Sequence, residues 1–402
     1  MKIALLGYGK EGQATEKYFK SHFEKPEIKI FDNFTYDEIK NQDFSSYDMV
    51  FRSPSVPPLD LPNETSVTKY FFDHCPCKII GVTATKGKGT ICSFIESILK
   101  AAGKDVYLVG NIGVPAIDVL DNLSENSVVV YEMSSFQLWD LKKSPFVSVI
   151  GHLEPEHLNV HGSYKEYIAA KANIAIHQSE NDYCVYYSKN PESVKIANLS
   201  KAQKIPYPIE ISDDILNSIT IPGNHNRENA TAAIAAARSY DANITDESIK
   251  QGLASFHGLP HRLEYLRELN DVKYYDDNFS TNPASTRVAI EAFPEDKLIL
   301  IVGGRDKTNY EDLPEIYNLL QSKNIAKVIL IGESGKTIAH RYPNHKFAVA
   351  NSLQAAVTAA RLEAEAIKPS IVIMSPAAAS FDMFKNVYDR GDQFRNLILS
   401  LD

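Results

Sequence analysis

Ten residues, GVTATKGKGT (Gly81–Thr90), carry the clearest chemical signal in the chain. Glycines let backbone amides approach a phosphate, a lysine can reach β- and γ-phosphates, and a hydroxyl can meet Mg²⁺. The stretch follows an apolar run, Lys78–Val82, and opens a helix-like one, Ile91–Lys100. Strand, glycines, lysine and helix coincide, so Thr85, Lys86, Gly87, Lys88, Gly89 and Thr90 are expected to bind ATP. The strict P-loop pattern is not met, because Gly89 separates Lys88 from the hydroxyl of Thr90. A lysine-bearing surface turn is the plainer alternative.

A second glycine loop opens the chain. Gly7, Gly9 and Gly12 form G-x-G-x-x-G directly after Lys2–Leu6, and Asp32 closes the next apolar run. This is the spacing of a dinucleotide fingerprint, with phosphate at a helix N-terminus. A nicotinamide cofactor, an empty tight turn and another nucleotide diphosphate all fit it. Two phosphate loops in succession argue against hydride transfer. They suggest one place for a nucleotide-bearing substrate and another for ATP.

These loops need strands to hold them. Apolar runs recur at Lys2–Leu6, Ile28–Phe31, Met49–Phe51, Lys78–Val82, Val106–Val109, Val128–Tyr131 and Val147–Ile150. They continue at Leu298–Val302, Val328–Ile331, Phe347–Val349 and Ile371–Met374. Near-continuous runs suit parallel strands buried on both faces, and their alternation with helical stretches predicts an α/β protein. A polar stretch, Leu61–Lys69, and a broken one, Phe256–Pro260, suggest boundaries, giving segments 1–68, 69–258 and 259–402.

The 402 residues include 42 Lys plus Arg against 51 Asp plus Glu, a net charge of −9. An acidic chain with no basic run is a poor nucleic-acid binder. No apolar run nears the roughly 18 residues that span a bilayer, and no leader pattern opens the chain, so a cytoplasmic location is expected. Four cysteines make no disulfide framework. The C-x-C pair Cys75 and Cys77 has no second ligand pair, so buried thiols are expected.

Three single residues have both bland and chemical readings. Glu132 ends a buried strand, where it can cap a helix, pair with a cation, or hold a metal against ATP phosphates. His157 can be a satisfied, partly buried histidine or a ligand. Lys171 would ordinarily lie on a solvated helix face.

Longer motifs add a family signal. The middle segment carries YEMSSFQL (Tyr131–Leu138), HLEPEHLNVHGS (His152–Ser163) and YIAAKANI (Tyr167–Ile174). The last carries GLPHRLE (Gly258–Glu264), DDNFSTNPAST (Asp276–Thr286), VGGRDK (Val302–Lys307) and SPAAASFDMFKNVYDRGDQF (Ser375–Phe394). With GYGKEGQAT, SPSVPP (Ser53–Pro58) and GNIGVP (Gly110–Pro115), these resemble the Mur ligases over nearly the whole chain, and within them the D-glutamate-adding branch.

The resemblance implies an ATP-dependent ligase that adds D-glutamate to UDP-N-acetylmuramoyl-L-alanine through an acyl phosphate, in the cytoplasmic stage of peptidoglycan synthesis. It implies three domains: a Rossmann-like one for the UDP substrate, a central P-loop ATPase-like parallel sheet, and a C-terminal Rossmann-like one for the amino acid. Lys88, His157 and Lys171 become the catalytic group. Thr90, Glu132, His157 and a carbamylated Lys171 become the Mg²⁺ site. Asn226, Asn229, Arg262 and Asp277 join the ATP contacts. Gly9, Asp32, Asn33, Ser53, Ser55 and Asn111 fall to the UDP substrate, and Thr281, Lys307, Ser380 and Phe381 to D-glutamate. A monomer acting on small molecules is expected, with a hinge at Gly258–Pro260. A ligase for another amino acid, or a binding protein that has lost catalysis, are the alternatives.

The chain departs from the family pattern at several positions. Phe279 stands where a lysine is usual, His152 where asparagine is, and Val387 where an aromatic is. Ala84 and Gly89 alter the ATP loop. Phe279 is expected to remove a cation from the catalytic cleft, which bears on substrate affinity and D-glutamate specificity.

Overall fold

Strands rich in β-branched residues, the central ones sealed on both faces, build three sheets in the computed structural model, which describes residues 1–343 and 347–402. The first sheet holds β1 (Lys2–Leu6), β2 (Glu27–Phe31), β3 (Met49–Arg52) and β4 (Glu64–Ser66), in the order β2-β1-β3-β4 and all parallel. The polar stretch Leu61–Lys69 thus contains a strand. Its residue Glu64 is polar because it accepts from the buried Arg52 Nε at 2.9 Å.

The second sheet holds β5 (Lys78–Thr83), β6 (Asp105–Gly110), β7 (Ser127–Glu132), β8 (Val147–Ile150), β9 (Tyr183–Tyr187) and β10 (Gln203–Tyr207). Its order is β10-β9-β8-β5-β7-β6, parallel throughout. The connections after β5 and β8 leave in opposite directions, so the C-terminal end of β5 lies at a switch point, where open α/β sheets take ligands.

The third sheet holds β11 (Glu264–Leu269), β12 (Val272–Asp276), β13 (Leu298–Val302), β14 (Ile325–Leu330), β15 (Ala348–Val349) and β16 (Ser370–Met374). Its order is β11-β12-β16-β13-β14-β15, parallel except for the β11–β12 hairpin. That hairpin turns on Asn270 and Asp271, both at positive φ (54° and 61°), the conformation a two-residue turn requires.

The chain divides into two compact units. Met1–Ile219 with Arg227–Phe256 carries the first two sheets; Thr220–Asn226 with His257–Asp402 carries the third. No helix among the described residues is long and apolar enough to cross a membrane. Cys92 and Cys184 are buried, as expected. Cys75 and Cys77 are only half-buried, because they sit in the short link before β5, and their free thiols lie 3.6 Å apart.

Candidate active site

The loop after β5 has the form that phosphate binding demands. Helix Lys88–Ala101 starts at Gly87, whose φ is +86° and where a Cβ would come within 2.9 Å of Asn229 Oδ1. Only glycine fits that close left-handed turn. Lys88 Nζ curls back over the loop, donating to the carbonyls of Ala84 (2.9 Å) and Thr85 (3.1 Å). Thr90 lies in the first helical turn. Thr85 is anchored from outside the loop: its N–H donates to His152 O at 2.7 Å, and its hydroxyl meets Glu154 O (3.1 Å) and Tyr167 Oη (2.9 Å). Lys86 is exposed and pairs with Glu154.

Lys171 departs most from what a helical lysine usually does. It lies on helix Tyr164–Ala172, yet it is only 2% exposed. Its amine donates to Thr83 Oγ1 (3.1 Å) and Ala84 O (3.0 Å), at the root of the same loop. Burial, with the charge of Lys88 adding to it, holds its pKa well below the usual lysine range. Glu132 is buried at the end of β7, in register with Val82 of β5, so carboxylate and phosphate loop lie on adjacent strand ends. Asn111 is exposed beside it and donates its N–H to Glu132 O at 3.2 Å.

His157 is half-exposed, in the left-handed conformation (φ +55°) that starts the short helix Leu158–His161. Its partner in space was not singled out in the sequence. His161, four residues on, is buried; its Nε2 meets Ser135 Oγ at 2.9 Å, and its ring stacks on Phe136. Burial, helped by His157 and Lys171, pushes its pKa down to about 4, so it is neutral at neutral pH. The His-x₃-His spacing was the signal available for it.

The first glycine loop is equally ordered. Gly7 has φ +84°, and a Cβ there would strike Ser53 Oγ at 2.2 Å. Asp32 Oδ1 accepts from Tyr8 N–H at 3.1 Å, so this acid pins the loop in the protein alone. Asn33 follows at φ +62°, and the Ser53 and Ser55 hydroxyls lie 2.8 Å apart. Gly9 faces open space.

In the second unit, the loops after β12, β13 and β16 emerge from the C-terminal ends of strands near the middle of the third sheet. Lys307 Nζ donates to Thr281 Oγ1 at 3.1 Å, joining two of the expected residues. Ser380 is buried, and its Oγ has no partner among the described residues; the neighbouring Phe381 is 66% exposed. Asp277 is buried, accepting from Leu263 N–H (3.1 Å) and Ser375 Oγ (2.6 Å). Burial nonetheless pushes its carboxyl up to about 7. The Arg262 guanidinium lies 5.2 Å from the Phe279 ring, so a cation remains beside the position where the lysine is missing. Asn226 and Asn229 share helix Asn224–Tyr240, and the Asn226 amide donates to Pro222 O at 2.6 Å. Val387 opens helix Val387–Leu399 behind its cap, Asn386.

Arg390 organises these loops and was missed, because D-R-G-D looks like solvated charge. It is fully buried, donating to Asn278 Oδ1 (2.8 Å) and O (2.9 Å), and to the carbonyls of Ala378 and Ala379 (both 3.2 Å). His261, Glu264 and Asp276 also converge, but they are engaged with one another and with Arg395.

Comparison with known proteins places this chain in a family. The model of the Mur ligase middle domain matches residues 82–219, and that of the Mur ligase glutamate ligase domain matches residues 261–377. UDP-N-acetylmuramoylalanine–D-glutamate ligase of Ruminiclostridium cellulolyticum is 36% identical, over 89% of this chain and 84% of that protein. The enzyme of the same name from Natranaerobius thermophilus is 31% identical over 100% and 98%. Among solved structures, UDP-N-acetylmuramate–alanine ligase of Thermotoga maritima shares the fold at a TM-score of 0.60 and 18% identity, covering 100% of this chain and 99% of that one. Mycobacterium tuberculosis folylpolyglutamate synthase complexed with ADP gives 0.59 at 14%, over 84% and 93%. With both domain models matched and relatives above 30% identity along most of its length, this chain belongs to the Mur ligase family.

Proposed function

We propose that the chain is an ATP-dependent ligase that adds D-glutamate to UDP-N-acetylmuramoyl-L-alanine. One observation carries the chemistry: a buried, charge-averse Lys171 at the root of a Lys88/Thr90 phosphate loop, with Glu132 on the neighbouring strand end. Residues 1–68 take the UDP moiety, 69–258 take ATP, and 259–402 take the amino acid.

The L-alanine carboxylate attacks the γ-phosphate of ATP and ADP leaves, giving an acyl phosphate. Both reactants are anions, so Lys88 must leave its two loop carbonyls and move onto the phosphates. The loop from Thr85 to Thr90 cradles the phosphates, and Asn226, Asn229, Arg262 and Asp277 are assigned to the rest of ATP. The oxygen donors of Thr90 and Glu132 suit Mg²⁺. His157 and a carbamate on Lys171 would complete two such sites, and the ions would neutralise phosphate charge. An uncharged Lys171 amine can attack CO₂ through its lone pair and release a proton, which turns a neutral amine into an anionic carbamate. The depressed pKa favours that route.

The amine of D-glutamate then attacks the acyl carbon, and phosphate leaves through a tetrahedral intermediate. Lys307 and Thr281 are assigned to the substrate carboxylates, with Ser380 and Phe381 beside them. Gly9, Asp32, Asn33, Ser53, Ser55 and Asn111 are assigned to the UDP substrate. A cytoplasmic monomer that takes only small molecules fits this chemistry.

Phosphate release from ATP with Mg²⁺ and UDP-N-acetylmuramoyl-L-alanine tests the proposal, each amino acid being added singly. Release that depends on D-glutamate is expected. Release with another amino acid would move the specificity, with Phe279 and Val387 the first positions to exchange. ATP binding with no release for any amino acid would leave a binding protein without catalysis.

A further inference from the structure

The proposed acceptor must reach from the first glycine loop to the phosphate loop and Glu132, so those points have to be held in register. A hydrogen-bonded path joins them. Glu11 stands in the first turn of helix Lys10–His22, directly behind Gly9. Its Oε1 accepts from Gln137 Nε2 at 2.8 Å, across 126 residues of sequence. Gln137 is 2% exposed, and its Oε1 accepts from Ser134 N–H (2.9 Å) and Ser134 Oγ (3.1 Å). Ser134 lies two residues after Glu132 and caps the four-residue helix Ser135–Leu138. We infer that Glu11 is a positioning residue that ties the acceptor's diphosphate loop to the turn after Glu132; this rests on the acceptor assignment above.

Two features set Glu11 apart from a plain structural contact. The turn that follows the short helix already has another anchor on the first sheet, since Arg52 Nη2 donates to Asp140 Oδ1 at 2.7 Å. Holding the two parts together therefore does not require Glu11. Its other oxygen, Oε2, is sealed from solvent and has no hydrogen-bond partner among the described residues. A half-satisfied buried carboxyl costs stability. That cost falls on a side chain that links the helix behind the first loop to Gln137.

The tie can be watched from its far end. Trp139, the only tryptophan in the chain, caps the C-terminus of the same short helix, with its ring 4.3 Å from that of His161. UDP alone is titrated into the full chain, with calorimetry for binding and Trp139 emission for the turn. In the unaltered protein UDP should bind and shift the emission. Glu11→Ala, and Glu11→Asp (which keeps the charge but falls a methylene short), should bind UDP yet lose most of the shift. Glu11→Gln keeps an acceptor oxygen at the same reach and should recover it. In ligation, the Ala and Asp variants should raise KM for the acceptor on the order of tenfold, the scale of one lost charged hydrogen bond, with KM for ATP within about twofold. A full-sized shift in both Ala and Asp variants overturns the inference, as does a Gln variant no better than Ala. No heat from UDP with the unaltered protein overturns the acceptor assignment itself, and the inference with it.

Discussion

Lys171 and Asp277 are both held against their preferred ionisation, and each yields a test. Lys171 loses hydration and faces Lys88, so its folded pKa lies below the unfolded one. The unfolded chain then binds the extra proton, and the cost to folding is fully present below the folded pKa and shrinks as pH rises. Lys171→Met should therefore raise stability at neutral pH by about 1 kcal/mol in urea unfolding while abolishing ligation. Lys171→Arg should be inactive as well, because a guanidinium keeps its charge; a working Arg variant would dismiss the carbamate. Asp277 runs the other way. Its carboxyl stands at about 7 in the fold against 3.8 ordinarily, so the folded state holds a proton that the unfolded chain releases across that window. Stability falls as pH rises through it, and Asp277→Asn should narrow the gap between unfolding midpoints at pH 5 and pH 8. A gap of unchanged size would locate the proton elsewhere. Residue types alone could not reveal either tension. The sequence marked both positions through motif and family resemblance, but burial depends on which strands close over them.

Elements were legible where both faces are buried. The runs at β1, β8 and β13 read off the sequence with their bounds intact, since a strand sealed on both sides is apolar throughout. β4, β9, β10, β11 and β12 have no counterpart among the apolar runs of the sequence. β4 is three residues long and carries the acid that holds Arg52, while β10 and β11 lie at sheet edges and β9 and β12 stand next to them, with tyrosines or charged residues interrupting each run. The same blindness hid Arg390, whose guanidinium joins the loops after β12 and β16. Replacing it by methionine fills the space but strips the carbonyls of Asn278 and Ala378 and the Asn278 amide oxygen of this donor, and leaves Ala379 O with Arg305 N–H alone. Arg390→Met should cost about 3 kcal/mol or more in denaturant unfolding. It should also raise KM for the amino acid more than for ATP, since Thr281 and Ser380 ride on the two loops it joins. Equal changes in both constants would reduce Arg390 to a core residue.

At the scale of the whole chain, the proposed chemistry is split between the two units. The phosphate loop, Glu132 and Lys171 belong to the first, and Thr281, Lys307 and Ser380 to the second. The amine of one substrate must nonetheless reach an acyl phosphate made from the others, and acyl phosphates hydrolyse in water. Water must therefore be kept from that intermediate while it lasts, and a change of shape on ligand binding is the expected means. The chain offers a place to bend: one passage between the units lies at Phe256–His257, and the next glycine, Gly258, has φ +110°. In small-angle scattering, the radius of gyration should fall when a non-hydrolysable ATP analogue and the acceptor are added together, and less with either alone. Gly258→Ala places a side chain on a left-handed backbone. It should lower kcat while leaving analogue binding within about twofold, because closing rather than binding is what it impedes. Identical scattering curves with and without the ligands would mean that water is excluded without closure, and would leave Gly258 as an ordinary turn residue.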